Sequence, residues 1–281
     1  MASIAALHIY PVKSCRGIDL AAASLGRAGL EAHAVGDRDW MVVDAGSGQF
    51  LTQREAPRMA LIAPAIEAGR LVLRAPGMPA RAIALGEFAL RQPGLAVRVW
   101  NHACMAFDEG DEVAGWLSQF LGRELRLARF DPAHKRQSNR ERTGNREALN
   151  RFSDGYPLLV ISEASLADLN DRVQEAGREA LPMNRFRPNI VLGQVGPFDE
   201  DRLLSLSSAG FALTPVKPCP RCPIPSIDQA SGMRGPDPLD ILGQYRDDPE
   251  LGVVFGQNVI VTRGYGSILT IGQTLDLEWN F

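Results

Sequence analysis

The densest run of reactive side chains is Val216-Lys-Pro-Cys-Pro-Arg-Cys-Pro-Ile-Pro-Ser-Ile-Asp228, in which Lys217, Cys219, Arg221, Cys222 and Asp228 are candidates for chemistry. Its prolines fix φ and keep the backbone extended, so a side chain projecting from it is firmly held. Arg221 beside Cys222 favours that thiolate, the form that binds metals. A soft thiolate suits zinc, copper(I), an iron–sulfur cluster or molybdenum. A structural zinc site wants a second CxxC or histidines at finger spacing, whereas the other two cysteines, Cys15 and Cys104, stand isolated. A c-type haem needs His after the CxxC, and Pro223 stands there. Pro223 and Pro225 also oppose the helix that a thioredoxin-type pair opens, and a plant-type ferredoxin cluster needs more clustered cysteines. Two ordinary buried cysteines remain the plain alternative. In an extended segment, residues an odd number apart point to opposite faces, so Cys219 and Cys222 are not expected to reach one site together without a turn between them.

Two further stretches carry anion-binding chemistry. Tyr10-Pro-Val-Lys-Ser-Cys-Arg-Gly17 ends a strand and offers Lys13 and Ser14 as donors, and Arg38 follows in GDRDW. Strand-end surface charge is the bland reading of all three. In Asn184-Arg-Phe-Arg-Pro-Asn189, Arg187 has the fork that grips phosphate and Asn189 the amide that pairs with a heterocycle edge. Turn chemistry is the alternative there. Lysine occurs only at positions 13, 135 and 217 against 27 arginines. That bias singles out Lys13 and Lys217 as places where a compact ammonium was kept.

The elements that must position these groups read as mostly β with peripheral helices. LHIYPV, WMVVD, RLVLRAP and AVRVW are short apolar or alternating runs bounded by Gly, Pro and Asp, the pattern of a sandwich or barrel. DAGSGQF reads as a hairpin turn between two runs. EGDEVAGWLSQFLG is a helix burying Val113, Trp116, Leu117 and Phe120, with Gly122 as its C-terminal stop. Residues 123–151 carry nine basic and four acidic side chains and read as a solvated connector. PLLVIS then opens a second β region. Ser162 caps a helix through EASLADLNDRVQEAG, whose stripe is Leu166, Leu169, Val173 and Ala176, and Gly177 ends it. PNIVLG, FALTPVKP, NVIVTR and GSILTIG are further strands, and PLDILGQYR a short helix. Two domains are expected, 1–125 and 126–281.

The 281 residues are 45% hydrophobic and 22% charged with net charge −3, which gives no reason to expect nucleic-acid binding. No apolar run reaches the length of a membrane span. The start MASIAALHIYPVKS lacks the basic region of a signal peptide, so the expected location is the cytoplasm. Four cysteines do not make a disulfide scaffold.

Taken in order, YPVKSCRG, GDRDWMVVD, FLTQREAPRMALI, FSDGYPLLVISEASLADLN, NRFRPNIV, the CPRC segment and FGQNVIV resemble one family over nearly the whole chain. They are similar to MOSC proteins with an N-terminal MOSC β-barrel domain, in particular the mitochondrial amidoxime-reducing component and bacterial YcbX-type proteins. The resemblance implies a molybdenum–molybdopterin cofactor with Cys222 as the metal ligand. It implies cofactor-phosphate contacts at Lys13, Ser14, Arg38 and Arg187, a pterin contact at Asn189, and an acidic residue near the metal at Asp154. If Asp154 is buried there, its pKa is expected to be raised. Cys219 would be structural or spare, and the cofactor would lie between the domains. The implied activity is reduction of N-hydroxylated compounds to amines or amidines. No GxGxxG fingerprint is present, so a separate ferredoxin or cytochrome b5-like protein would donate electrons. MOSC domains also occur in cofactor sulfurases, which would put a persulfide on Cys222, and a non-catalytic molybdopterin carrier is a third possibility. Pyridoxal phosphate binding, also known among MOSC proteins, would need Lys13 or Lys217. Gly155 and Tyr156 depart from the hydroxyl residues of the amidoxime-reducing proteins. The chain ends at GQTLDLEWNF without the ferredoxin domain common in YcbX-type proteins.

Overall fold

Strand Ala2–Ile9 alternates buried and half-buried residues, and its inward side chains Ile4, Leu7 and Ile9 are almost fully buried. One such face cannot be stable alone; it must meet others. In the computed structural model, which describes residues 1–86 and 93–280, that strand pairs with Ile190–Gly193 on one side and Thr274–Trp279 on the other. The ring continues through Leu203–Ser208, Phe211–Pro220 and Gly252–Arg263 to Leu158–Ser162, which pairs back onto Ile190–Gly193 and closes a seven-stranded barrel. Closure removes the free edges that an open sheet would expose. Only the Leu158–Ser162/Ile190–Gly193 pair in this ring is parallel. A parallel pair needs a crossover, and helix Glu163–Glu175 lies within the connection. Ser162 caps it by accepting from the Ser165 N–H, as expected, and Gly177 adopts a positive φ just past its end. Leu169 and Val173 are buried; the third buried position is Ser165, whereas Ala176 is exposed because the helix has already stopped.

A second layer is the four-stranded meander Leu95–Val99, His102–Asp108, Leu125–Phe130 and Trp40–Asp44. Both faces of Trp40–Asp44 are covered: Trp40 and Val42 pack into the main core, and Met41 and Val43 into a second cluster with Phe50, Phe130 and Phe152. Helix Asp111–Leu121 ends on Gly122 in the left-handed conformation, with Val113, Trp116, Leu117 and Phe120 buried as its spacing required. DAGSGQF is a turn, with Gly48 N–H donating to the Asp44 carbonyl. Smaller sheets are Ala63–Glu67 with Arg70–Arg74 and Arg81–Ala84, and Ile268–Thr270 with Ala22–Gly26, Gly29–Ala32 and Val35–Gly36. The ends of the chain are therefore interleaved: its first strand lies in the barrel, and Ile268–Thr270 extends a sheet of early strands. No helix among the described residues is long and apolar enough to cross a membrane.

The reading of residues 123–151 as a solvated connector is corrected. Leu125–Phe130 is a central strand, and Arg136, Asn150 and Phe152 are buried. Burial of Arg136 is offset because its guanidinium donates to Asn150 Oδ1 and to the carbonyls of Arg151, Ser153 and Asp154. This arginine fixes the segment that presents Asp154.

Candidate active site

The barrel and the meander meet around an open cavity of about 480 Å³. Lys13, Ser14, Arg38, Asp154, Arg187, Asn189 and Cys222 all line it, and so do Cys219, Lys217 and Arg221. The sequence candidate that is not brought there is Asp228. It instead accepts from the backbone N–H groups of Ala230 and Ser231 and pairs with Arg185 at 2.9 Å.

The cationic wall is built from strained backbone. Ser14, Arg38 and Arg187 have φ of 64°, 53° and 59°, a region that non-glycine residues seldom occupy. Such strain persists only where surrounding contacts over-determine it. The Gln53 side chain donates to the Ser14 carbonyl at 2.8 Å, and Gln53 and Gln229 exchange reciprocal amide bonds. Arg38 N–H donates to the Tyr10 carbonyl, and its guanidinium meets the Asp37 carboxylate. The guanidinium groups of Arg38 and Arg187 both stack on the Tyr10 ring, at 4.4 and 4.2 Å. Burial pushes the Tyr10 phenol up to about 12.

Arg187 is the most informative member. Its residue is 8% exposed, and Nη1 donates to the Cys15 carbonyl at 2.7 Å. Nη2 is buried with no hydrogen-bond partner. Burial pulls this guanidinium down to about 10, against the attraction of Tyr10. A buried cationic donor without an acceptor is costly, and Arg187 also lines the cavity.

Lys13 is 5% exposed and donates to the Phe152 carbonyl at 2.8 Å and to Asp154 Oδ1 at 2.7 Å. Burial pulls its ammonium below the usual lysine range, partly offset by Asp154. The Asp154 side chain is 75% exposed to the cavity, and Trp100 Nε1 also donates to its Oδ1, at 2.9 Å. Crowding by protein pushes this carboxyl up, but the Lys13 ion pair and the Trp100 bond outweigh that and hold it below the usual carboxylate range. The upward shift expected of a buried Asp154 does not arise, because the side chain is largely exposed and a cation faces it.

The Asn189 amide ties barrel strands together. Its Oδ1 accepts from the Leu159 N–H at 3.1 Å and its Nδ2 donates to the His8 carbonyl at 3.2 Å, which leaves one amide hydrogen. The two thiols also depart from the extended-chain reading. Strand Phe211–Pro220 changes register between Pro218 and Pro220 and ends there, so Cys219 and Cys222 line the same cavity rather than opposite faces. The Arg221 guanidinium donates to Cys219 Sγ at 3.3 Å and to the Phe186 carbonyl at 2.9 Å. The thiol that the Arg221 guanidinium touches is therefore that of Cys219, two residues before it in sequence.

Sequence reasoning missed Trp100 and Arg54 at the cavity wall. One signal was present: an aromatic residue in VRVWNHA stands at a two-residue hairpin tip, between Val99 and His102, where Gly, Asn or Asp are favoured.

The chain that builds this cationic, cysteine-bearing cavity on a β-barrel belongs to the MOSC family. Residues 1–124 match the MOSC N-terminal beta barrel domain and residues 148–274 the MOSC domain. The chain is 32% identical over 253 residues to mitochondrial amidoxime reducing component 2 of Bos taurus, covering 87% of this chain and 72% of that one. It is 32% identical over 263 residues to mitochondrial amidoxime-reducing component 1 of Mus musculus, covering 91% and 75%. It is also 30% identical over 255 residues to the molybdenum cofactor sulfurase of Bos taurus, covering 86% of this chain but 28% of that protein.

Proposed function

We propose that the protein is a molybdenum-cofactor-dependent oxidoreductase that reduces N-hydroxylated compounds to amines or amidines, with electrons from a separate ferredoxin or cytochrome b5-like donor. The observation that carries this reading is the convergence of Lys13, Ser14, Arg38 and Arg187, whose buried Nη2 has no partner, on the cavity that Cys222 also lines. The donor set fits a molybdopterin. Lys13, Ser14, Arg38 and Arg187 would hold its phosphate, with Arg187 supplying the bidentate fork. The remaining amide hydrogen of Asn189 would meet the pterin, and Cys222 would hold the metal as a soft thiolate. When bound, the cofactor supplies two-electron chemistry at its metal.

The chain's own groups then divide the remaining tasks. Asp154 is kept anionic by Lys13, so it accepts an N–H from the substrate and does not serve as a proton donor near neutral pH. Lys13 is committed to Asp154 and the Phe152 carbonyl, which leaves Lys217 as the less encumbered lysine of the cavity. The names of the amidoxime-reducing relatives support the substrate class, and their coverage of the chain supports transfer of the whole site.

The test is element analysis and pterin fluorescence on protein from a molybdenum-replete host, followed by turnover of an amidoxime with a reduced viologen. The reading expects near one molybdenum per chain and formation of the amidine. Metal-free protein that carries sulfane sulfur would instead favour a sulfurase-like persulfide on Cys222, a reading that the match to the sulfurase keeps open. Metal-loaded protein that reduces nothing would favour a carrier.

A further inference from the structure

Trp100 occupies the tip of the hairpin between Leu95–Val99 and His102–Asp108 with φ of 54°. A bulky aromatic residue is a poor choice for that conformation, which glycine or asparagine would meet at lower cost. Nor is the ring there to fill a core, since the residue is 43% exposed and lines the cavity. It is nevertheless held in place. Nε1 donates to Asp154 Oδ1 at 2.9 Å, the Phe50 ring meets it edge-on at 5.0 Å, and the Arg54 guanidinium lies over it at 4.7 Å. Lys13 and Trp100 both bond Oδ1 of Asp154, so Oδ2 has no hydrogen-bond partner among the described residues.

A strained, oriented, partly exposed indole beside a free carboxylate oxygen has a clear chemical complement. It suits a flat, conjugated group that stacks on the indole while an N–H reaches Oδ2. The Arg54 guanidinium covers part of the ring, and the 43% of the residue that stays exposed leaves indole surface on which such a group can stack. We propose that Trp100 is a specificity-determining residue, a stacking platform at the cavity wall that selects planar, conjugated amidoxime-type substrates over small aliphatic N-hydroxy compounds. The proposal rests on the reductase reading for its substrates but on Trp100's own geometry for its binding role.

The variants are Trp100→Gly, which relieves the positive φ and should fold, and Trp100→Phe, which keeps a ring without the N–H. For the molybdenum-loaded enzyme with a reduced viologen, Trp100→Gly should raise KM for benzamidoxime about tenfold with little change in kcat. Selectivity over N-methylhydroxylamine should fall by a similar factor. Trp100→Phe should recover most of the loss, and molybdenum content should stay unchanged. Equal loss on both substrates, or loss of kcat together with molybdenum, would overturn the proposal and make Trp100 a structural or cofactor contact. Calorimetric titration of benzamidine gives a second readout that needs no turnover. Should the wild type reduce neither substrate, the reductase reading fails, and weaker benzamidine binding in Trp100→Gly still supports the platform. Unchanged benzamidine binding in that variant sinks it.

Discussion

Replacing Arg187 by methionine separates folding from cofactor binding. Moving this guanidinium from 12.5 to about 10 corresponds to about 3 kcal/mol of unfavourable burial of the charge. Against that stands the charge-assisted bond to the Cys15 carbonyl, about 1.5–3 kcal/mol, the attraction of Tyr10 being already contained in the shifted value. The two sides nearly cancel, so Arg187→Met should change the stability of cofactor-free protein by no more than about 1 kcal/mol. The bound phosphate, however, would lose a contact of about 1.5–3 kcal/mol, which is roughly 10- to 150-fold in affinity. Denaturant melts of cofactor-free protein, with molybdenum and pterin measured per chain after expression, test both halves. A variant that loses more than about 3 kcal/mol of stability while keeping full cofactor occupancy would refute the reasoning, because Arg187 would then be a structural residue.

Asp154 is held below the usual carboxylate range, so the rate should show no rising limb between about pH 5 and 7 that disappears in Asp154→Asn; a pH–rate profile checks this. Its depressed pKa also means that the Lys13 pair stabilises above the unfolded carboxylate value and weakens only in strong acid. Asp154 faces solvent but its partner Lys13 is buried, so loss of the carboxylate should cost about 1–3 kcal/mol in a melt at pH 7. Burial raises the Glu200 carboxyl, so the folded state holds its proton to higher pH than the unfolded chain, and stability falls as pH rises through that window; Glu200→Gln should flatten this dependence in melts from pH 4 to 7. At Gly256, with φ of 79°, a Cβ would sit 2.5 Å from Ile161 Cγ1 and 2.8 Å from the Val160 carbonyl. Gly256→Ala should therefore destabilise the barrel closure by about 2–4 kcal/mol, read in denaturant unfolding.

Local chemistry was legible in the sequence wherever one segment decided it. Ser162 as a cap, Gly122 as a stop and the buried face of Asp111–Leu121 all follow from neighbours within a turn or two. The residue types at 13, 38, 187 and 222 suggested an anion and a soft metal, and the fold does bring those side chains to one cavity. Long-range facts were not legible. Nothing in Ala2–Ile9 says that its partners are Ile190–Gly193 and Thr274–Trp279, since strand pairing across such separations leaves no local pattern. Arg136 looked like a solvated charge because its acceptors, at residues 150–154, become visible only once the loop folds back. The positive φ values of Ser14, Arg38 and Arg187 were hidden for a related reason: these are not residues that advertise that conformation. That the Arg221 guanidinium reaches Cys219 Sγ was not legible either, because adjacency in sequence does not say which way a side chain turns.

We propose Cys222 as the ligand that would make this cavity a molybdenum site. Both cysteines line it, so position alone does not separate them, and the decisive measurement is molybdenum content alongside amidoxime reduction for Cys222→Ser and Cys219→Ser. A hydroxyl is a poor replacement for a soft thiolate. Cys222→Ser should fold and lose reduction, while Cys219→Ser keeps its molybdenum and most of its activity. An active Cys222→Ser enzyme beside a dead, metal-free Cys219→Ser would contradict the account.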